Sequence, residues 1–282
     1  MNLRKFLPGK LGKTNTVIPV VRMMGAIAAG GGRLGGRTLS LATVAGPLAK
    51  AFAMKDAPCV AISVNSPGGS PVQSRLIFSR IRELAAQHEK KVIIFVEDVA
   101  ASGGYMIALA GDEIIADETS IVGSIGVVSA SFGFNKAIET LGIDRRVYTA
   151  GQNKVSLDPF QPEKKGDIDY LKKLQLEIHQ IFIDMVKERR STALSDDKDI
   201  FTGRFWTAIK GKELGLIDGF GHMSSVLKER YGEDTKLKLV QEKKRMFGLG
   251  SLGGIGNNLG RSVADEALQI AEERALYARY GL

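Results

Sequence analysis

A chain of 282 residues with 44% hydrophobic and 25% charged side chains can bury a sizeable core and has the make-up of a folded protein, which excludes extensive disorder. Its single cysteine, Cys59, excludes an internal disulfide and any multi-cysteine metal site. The net charge of +8 is concentrated at the start: nine Lys or Arg and no acid precede Asp56, and the remainder of the chain is close to neutral.

Residues 1–16 read as a basic N-terminal segment without the apolar core of a signal peptide. Each of its cations near an anionic lipid surface is worth about 1 kcal/mol, so peripheral membrane contact is one expectation and a solvated leader the other. Nucleic acid is not expected as a partner. Val17–Ile27 reads as a first strand; it is the most apolar stretch, yet Pro19 and Arg22 interrupt it well short of a membrane span. The expectation is therefore a cytoplasmic protein, or one peripheral to the membrane. The following G-G-G-R-L-G-G-R lacks the Lys-Ser/Thr of a Walker loop and reads as a flexible turn before a helix around Leu39–Lys55.

Cys59–Val64 is a β-branched strand ending in N-S-P-G-G-S, after which Val72, Leu76, Ile77, Ile81 and Leu84 recur at helical spacing. Val92–Val96 makes the next strand, Ser102 opens a helix in A-S-G-G-Y-M-I-A-L-A, and Ile114–Asp117 and Gly123–Val128 read as short strands. This alternation predicts an α/β domain with parallel strands, its active groups at the strands' carboxyl ends. Further on, R-R-V-Y-T reads as a strand and A-G-Q-N-K-V-S-L-D-P-F as a polar loop. Leu171, Leu174, Ile178, Ile181, Phe182 and Met185 then stripe a long helix, facing the core or another subunit. The main domain is expected over 17–240, and 241–282 as a glycine-rich linker with a C-terminal amphipathic helix.

Ser102 can be a nucleophile or a helix cap. A serine nucleophile needs a base and donors for the oxyanion. His88, His179 and His222 are candidate bases, each also readable as a surface or packing histidine. Lys154 is a further candidate, since a lysine serves once burial or a neighbouring cation lowers its pKa from about 10.4. Amides of Gly103, beside Ser102, and of Gly68 and Gly69, after the stiff Pro67, are candidate oxyanion donors because glycine permits close approach. Glu97 and Asp98 read as solvated turn acids.

Taken in order, N-S-P-G-G (Asn65–Gly69), A-S-G-G-Y (Ala101–Tyr105), V-G-S-I-G-V (Val122–Val127), A-G-Q-N-K (Ala150–Lys154) and F-T-G-R-F-W-T-A-I-K-G-K-E-L-G-L-I-D (Phe201–Asp218) resemble the signal peptide peptidase family of serine proteases. The resemblance covers roughly Val17 to Tyr231. It implies the repeated β-β-α superhelix shared by Clp protease and crotonases, and a Ser/Lys dyad with Ser102 as nucleophile, Lys154 as general base and Ser124 orienting the lysine. It further implies an oxyanion hole from Gly68 or Gly69 with Gly103, no metal or organic cofactor, and a homo-oligomeric ring or dome. The implied substrates are signal-peptide remnants, membrane-associated or unfolded polypeptides. Two rivals accompany this reading: a crotonase-type acyl-CoA enzyme, whose usual catalytic carboxylates are not apparent, and a non-catalytic membrane-associated scaffold on the same fold.

Overall fold

The computed structural model describes residues 15–30 and 38–241. Strands β1 (Val17–Met24), β2 (Cys59–Ser66), β3 (Lys91–Ala101), β4 (Glu113–Ala116), β5 (Ile121–Gly123), β6 (Phe205–Thr207), β7 (Gly219–Phe220) and β8 (Lys236–Leu239) form one eight-stranded sheet. Its order is β6-β5-β3-β2-β1-β8, with β4 paired to β3 and β7, and every pairing except β5–β6 is parallel. The helices are α1 (Leu41–Phe52), α2 (Pro71–His88), α3 (Gly103–Ala108), α4 (Asn135–Thr140), α5 (Lys165–Arg190), α6 (Ala208–Glu213) and α7 (Met223–Tyr231). The predicted α/β class stands: this is the Clp protease/crotonase-like arrangement.

Strands β2 and β3 are buried on both faces, which is why they read as continuous apolar runs rather than alternating ones. Alternate residues divide between two cores. Val60, Ile62, Val64, Val92 and Ile94 pack against α1, α2 and α3, whereas Cys59, Ala61, Ile93 and Phe95 face Leu227 of α7. The first core is the larger and seats Phe182, Met185 and Val186 from the last turns of α5. The earlier part of the α5 stripe is left open, with Leu174 and Ile181 exposed, so the stripe serves the core only at its C-terminal end. Helix α2 starts where its sequence asks: Pro71 occupies the first turn and the Ser70 hydroxyl accepts a hydrogen bond from the Gln73 amide (3.4 Å).

Strand β3 is longer than the predicted Val92–Val96 and contains a bulge. Val64 of β2 lies opposite Val96, but Ser66 lies opposite Ala100, so β3 spends two extra residues around Glu97–Val99. Such an insertion bends a strand. Before the bend β3 pairs with β4, and after it with β5. Two expected strands differ. The expected strand Gly123–Val128 ends at Gly123, because Gly123 (φ +100°) and Ser124 (φ +54°) both enter the left-handed region and leave the pleat. R-R-V-Y-T forms no strand; Val147 and Tyr148 are exposed, and β-branched residues without a partner strand have nothing to pair with. Among the described residues no helix is long and apolar enough to cross a membrane. The basic segment up to residue 14 and the tail beyond residue 241 lie outside the described residues.

Candidate active site

The site stands where β3 ends and the chain reverses into α3. Ser102 is the residue before the helix, with φ +50° and ψ −120°, a conformation that L-residues rarely hold and that costs of order 1–3 kcal/mol. Its amide donates to the Gly123 carbonyl at the end of β5 (2.8 Å), and its carbonyl accepts from the Met106 amide (3.0 Å). Its side chain makes no capping hydrogen bond. Ser102 thus holds the cap position without capping, and the strained backbone leaves its hydroxyl partly exposed rather than folded onto the helix.

The turn after β2 is pressed against this serine. Gly68, at φ +109°, is so close that a Cβ there would lie 2.8 Å from the Ser102 Cβ and 2.9 Å from the Gly103 nitrogen. The turn is fixed from both sides: Ile27 donates to the Gly68 carbonyl (2.8 Å) and its own carbonyl accepts from the Ser70 amide (2.7 Å). Gly69 lies directly on the Ile27 carbonyl, where no Cβ fits. The Ser66 hydroxyl donates to the Gly25 carbonyl (2.7 Å) and accepts from the Gly68 amide (3.2 Å). The Gly68 amide is therefore occupied. The Gly69 and Gly103 amides have no acceptor among the described residues, and the Gly69 nitrogen lies 3.3 Å from where a Gly103 Cβ would project. Gly103 itself packs on the Ser74 hydroxyl of α2.

Ser124 follows Gly123, whose carbonyl holds Ser102, and its amide donates to the Arg204 carbonyl (2.7 Å). Trp206 lies over Gly123, 2.7 Å from the position a Cβ would take. Next along the chain, the Ile125 carbonyl meets the His179 ring of α5 (3.0 Å). The structure thus gathers Ser102, Gly68, Gly69 and Gly103, with Ser124 on the adjoining strand end. Lys154 sits exposed in the turn after Gly151, on an arm spanning 128–164 that carries α4 and almost no buried residue. Among the described residues no hydrogen bond joins Lys154 to Ser102 or Ser124. Of the histidines, His179 is the one that touches this strand end, through Ile125; His222 precedes α7, 3.9 Å from the Asp117 carboxylate, and His88 ends α2 beside the Phe52 ring.

Residues that sequence reasoning passed over hold the site. Tyr105 of α3 is fully buried and donates to the Leu216 carbonyl (2.7 Å). Arg190 grips both oxygens of Asp218 (2.8 and 3.0 Å) and the Gly215 carbonyl (2.7 Å), and Asp218 also accepts from the Ile114 amide (2.7 Å). The late G-L-I-D segment is thereby tied to the base of α3. Glu97 and Asp98 are not turn acids: they lie on the β3 bulge, where Glu97 pairs with Arg22 (3.2 Å) and Asp98 accepts from Asn65 (2.5 Å).

A serine held in strained geometry at a strand-to-helix turn, with two amides beside it that lack acceptors among the described residues, is the arrangement a serine nucleophile requires. The model of peptidase family S49 matches residues 85–237. A protein named as a protease from Methanocaldococcus jannaschii is 34% identical over 71% of this chain and 67% of its own length. The chloroplastic serine protease SPPA of Arabidopsis thaliana is 32% identical over 70% of this chain and 30% of its own. The chain belongs to peptidase family S49, the signal peptide peptidase family. A Brucella melitensis protein named Na(+)/H(+) antiporter NhaA is 60% identical over 99% of this chain. The chain spans only about two fifths of that relative (39%).

Proposed function

We propose that the chain is a serine endopeptidase acting through Ser102 and Lys154. The observation that carries this reading is the pairing of the strained, uncapped Ser102 with the unoccupied amides of Gly69 and Gly103. Lys154 Nζ accepts the Ser102 proton as Oγ attacks a peptide carbonyl. The two amides receive the oxyanion, and the lysinium protonates the leaving amine, which breaks the C–N bond. Water then attacks the acyl-enzyme and restores the serine. Ser124 orients the lysine, and Ser66 positions the glycine turn by holding the Gly68 amide.

The arm that bears Lys154 exposes Phe132, Leu141, Ile143 and Tyr148, and a surface of this kind is stabilised by assembly. The reading therefore includes a homo-oligomer that packs these arms and brings lysine and serine together. Its substrates are unfolded or membrane-associated polypeptides, signal-peptide remnants among them. Three proteins measured on unfolded casein and fluorogenic peptides test it: the intact chain, Ser102→Ala and Lys154→Ala. Both variants are expected to lose activity by about four orders of magnitude, and a fluorophosphonate should label Ser102 only in the intact chain. Near-full activity in Lys154→Ala would remove the dyad.

A further inference from the structure

Beside the β3 bulge, on the α7 side of the sheet, lies a cavity of about 390 Å³, a size suited to a small ligand or a side chain. Its floor is Ser63 and Phe95, which lie opposite each other on β2 and β3. Glu97, Asp98 and Asp117 wall it, and His222 and Met223 close it where α7 begins. Ser63 is 1% exposed, and its hydroxyl has no hydrogen-bond partner among the described residues. Two residues along β2, on the same face, the Asn65 side-chain oxygen is likewise buried without a donor. A buried hydroxyl that faces a cavity without a partner calls for a polar ligand, and beside the Asp98 and Asp117 carboxylates it adds one more acceptor.

Charge decides what kind. Arg22 neutralises Glu97. Asp98 and Asp117 have no Lys or Arg partner among the described residues; their closest donors are the neutral Asn65 and Thr119, and the His222 ring stands 3.9 Å from Asp117. The start of α7 offers about half a positive charge, which two carboxylates outweigh. Among the described residues no group of three His, Cys, Asp or Glu side chains could hold a metal ion. The acceptors match the several N–H donors of an ammonium or guanidinium, and Phe95 and Met223 match its aliphatic stem.

We propose that this cavity binds an alkylammonium or alkylguanidinium group, carried by a lysine or arginine of a polypeptide held at Ser102. The clause about the polypeptide rests on the peptidase reading; the cation site does not. Asp98 precedes Ser102 by four residues, and the bulge takes up part of that length, so the separation is less than the roughly 13 Å of four extended residues. An extended substrate would therefore place a basic residue in the cavity about two to four positions from the cleaved bond.

The test uses the full chain carrying Ser102→Ala, titrated by calorimetry with Nα-acetyl-lysine methylamide, its norleucine counterpart, and unfolded octapeptides that differ only by Lys or norleucine. The lysine ligands are expected to bind at least tenfold tighter than their norleucine partners. Asp98→Asn with Asp117→Asn should erase that difference, and Ser63→Val should reduce it. Tighter binding of the lysine octapeptide than of the lysine amide assigns the site to substrate; equal binding assigns it to free amines and overturns the substrate clause. Equal binding of lysine and norleucine ligands, or an unchanged preference in the double variant, overturns the site. Because cleavage is not read, a failed peptidase assay on the intact chain would leave this result standing.

Discussion

The Cβ that Gly68 lacks would stand 2.8 Å from the Cβ of Ser102. That contact is backbone against backbone, with the Ala101 carbonyl and Gly103 nitrogen at 2.9 Å, so no flexible side chain can yield. Gly68→Ala also meets a left-handed φ, which costs an L-residue about 1–2 kcal/mol. The variant is expected to lose at least a hundredfold in kcat/KM and to melt several degrees lower. Gly232→Ala supplies the comparison: φ is +103° there, but no atom lies within 4 Å, so only the backbone cost applies and activity should stay within twofold. Equal activity loss in both would show that the turn does not set the serine.

How much of the fold and site is legible in the sequence depends on the physics of each segment. Strands buried on two faces announce themselves, and so does a helix with Ser70, Pro71 and a spaced apolar face. The two glycines after Pro67 cannot be ranked from the sequence, because the Ser66 hydroxyl occupies one amide and leaves the other free. V-G-S-I-G-V reads as a strand because apolar spacing does not report the two left-handed residues that end it. The cavity beside β3 is hidden for a similar reason: a bulge is a mismatch between two strands, and neither strand alone records it.

Loss of the Asp218 carboxylate should be felt at the catalytic turn as well as in stability. Arg190 is 7% exposed, and without Asp218 it would keep a charge away from solvent with only the Gly215 carbonyl to hold it. Breaking one partner of such a pair costs about 3–5 kcal/mol. Asp218→Ala is expected to lower the urea midpoint by that equivalent. Tyr105→Phe, which only releases the Leu216 carbonyl, should cost about 1–3 kcal/mol. Unfolding at one fixed protein concentration checks both, and a Tyr105→Phe effect equal to that of Asp218→Ala would contradict the assignment of the larger share to the ion pair.

Acid sensitivity should trace partly to Glu113. Arg230 of α7 holds both its oxygens (2.6 Å each) and Lys91 of β3 adds a third contact (3.2 Å). The Arg230 hydrogen bonds hold this carboxyl below the usual glutamate range. A depressed value means that the unfolded chain binds the proton more readily. The contribution is therefore present above the ordinary glutamate pKa and fades as pH falls through the folded one. Glu113→Gln should be less stable than the intact chain at pH 7, and the two should converge as pH drops below about 4. A gap that stays constant with pH would place the effect in packing instead.

The arm bearing Lys154 gives the last prediction. Phe132 is 79% and Tyr148 89% exposed, while Phe134 and Phe160 stack on one another with ring centres 5.6 Å apart. The arm therefore has a small internal cluster of its own and keeps its largest apolar surfaces outward. Glutamate at both exposed positions, Phe132→Glu with Tyr148→Glu, removes nothing from the main core, so the melting of the α/β domain should change little. In the proposed assembly the same change buries charge at every contact between arms. Light scattering should then report a smaller particle, and, if the proposed assembly is what brings Lys154 to Ser102, peptidase activity should fall with it. A double variant that remains assembled, or one that dissociates and stays fully active, would separate the arm from catalysis.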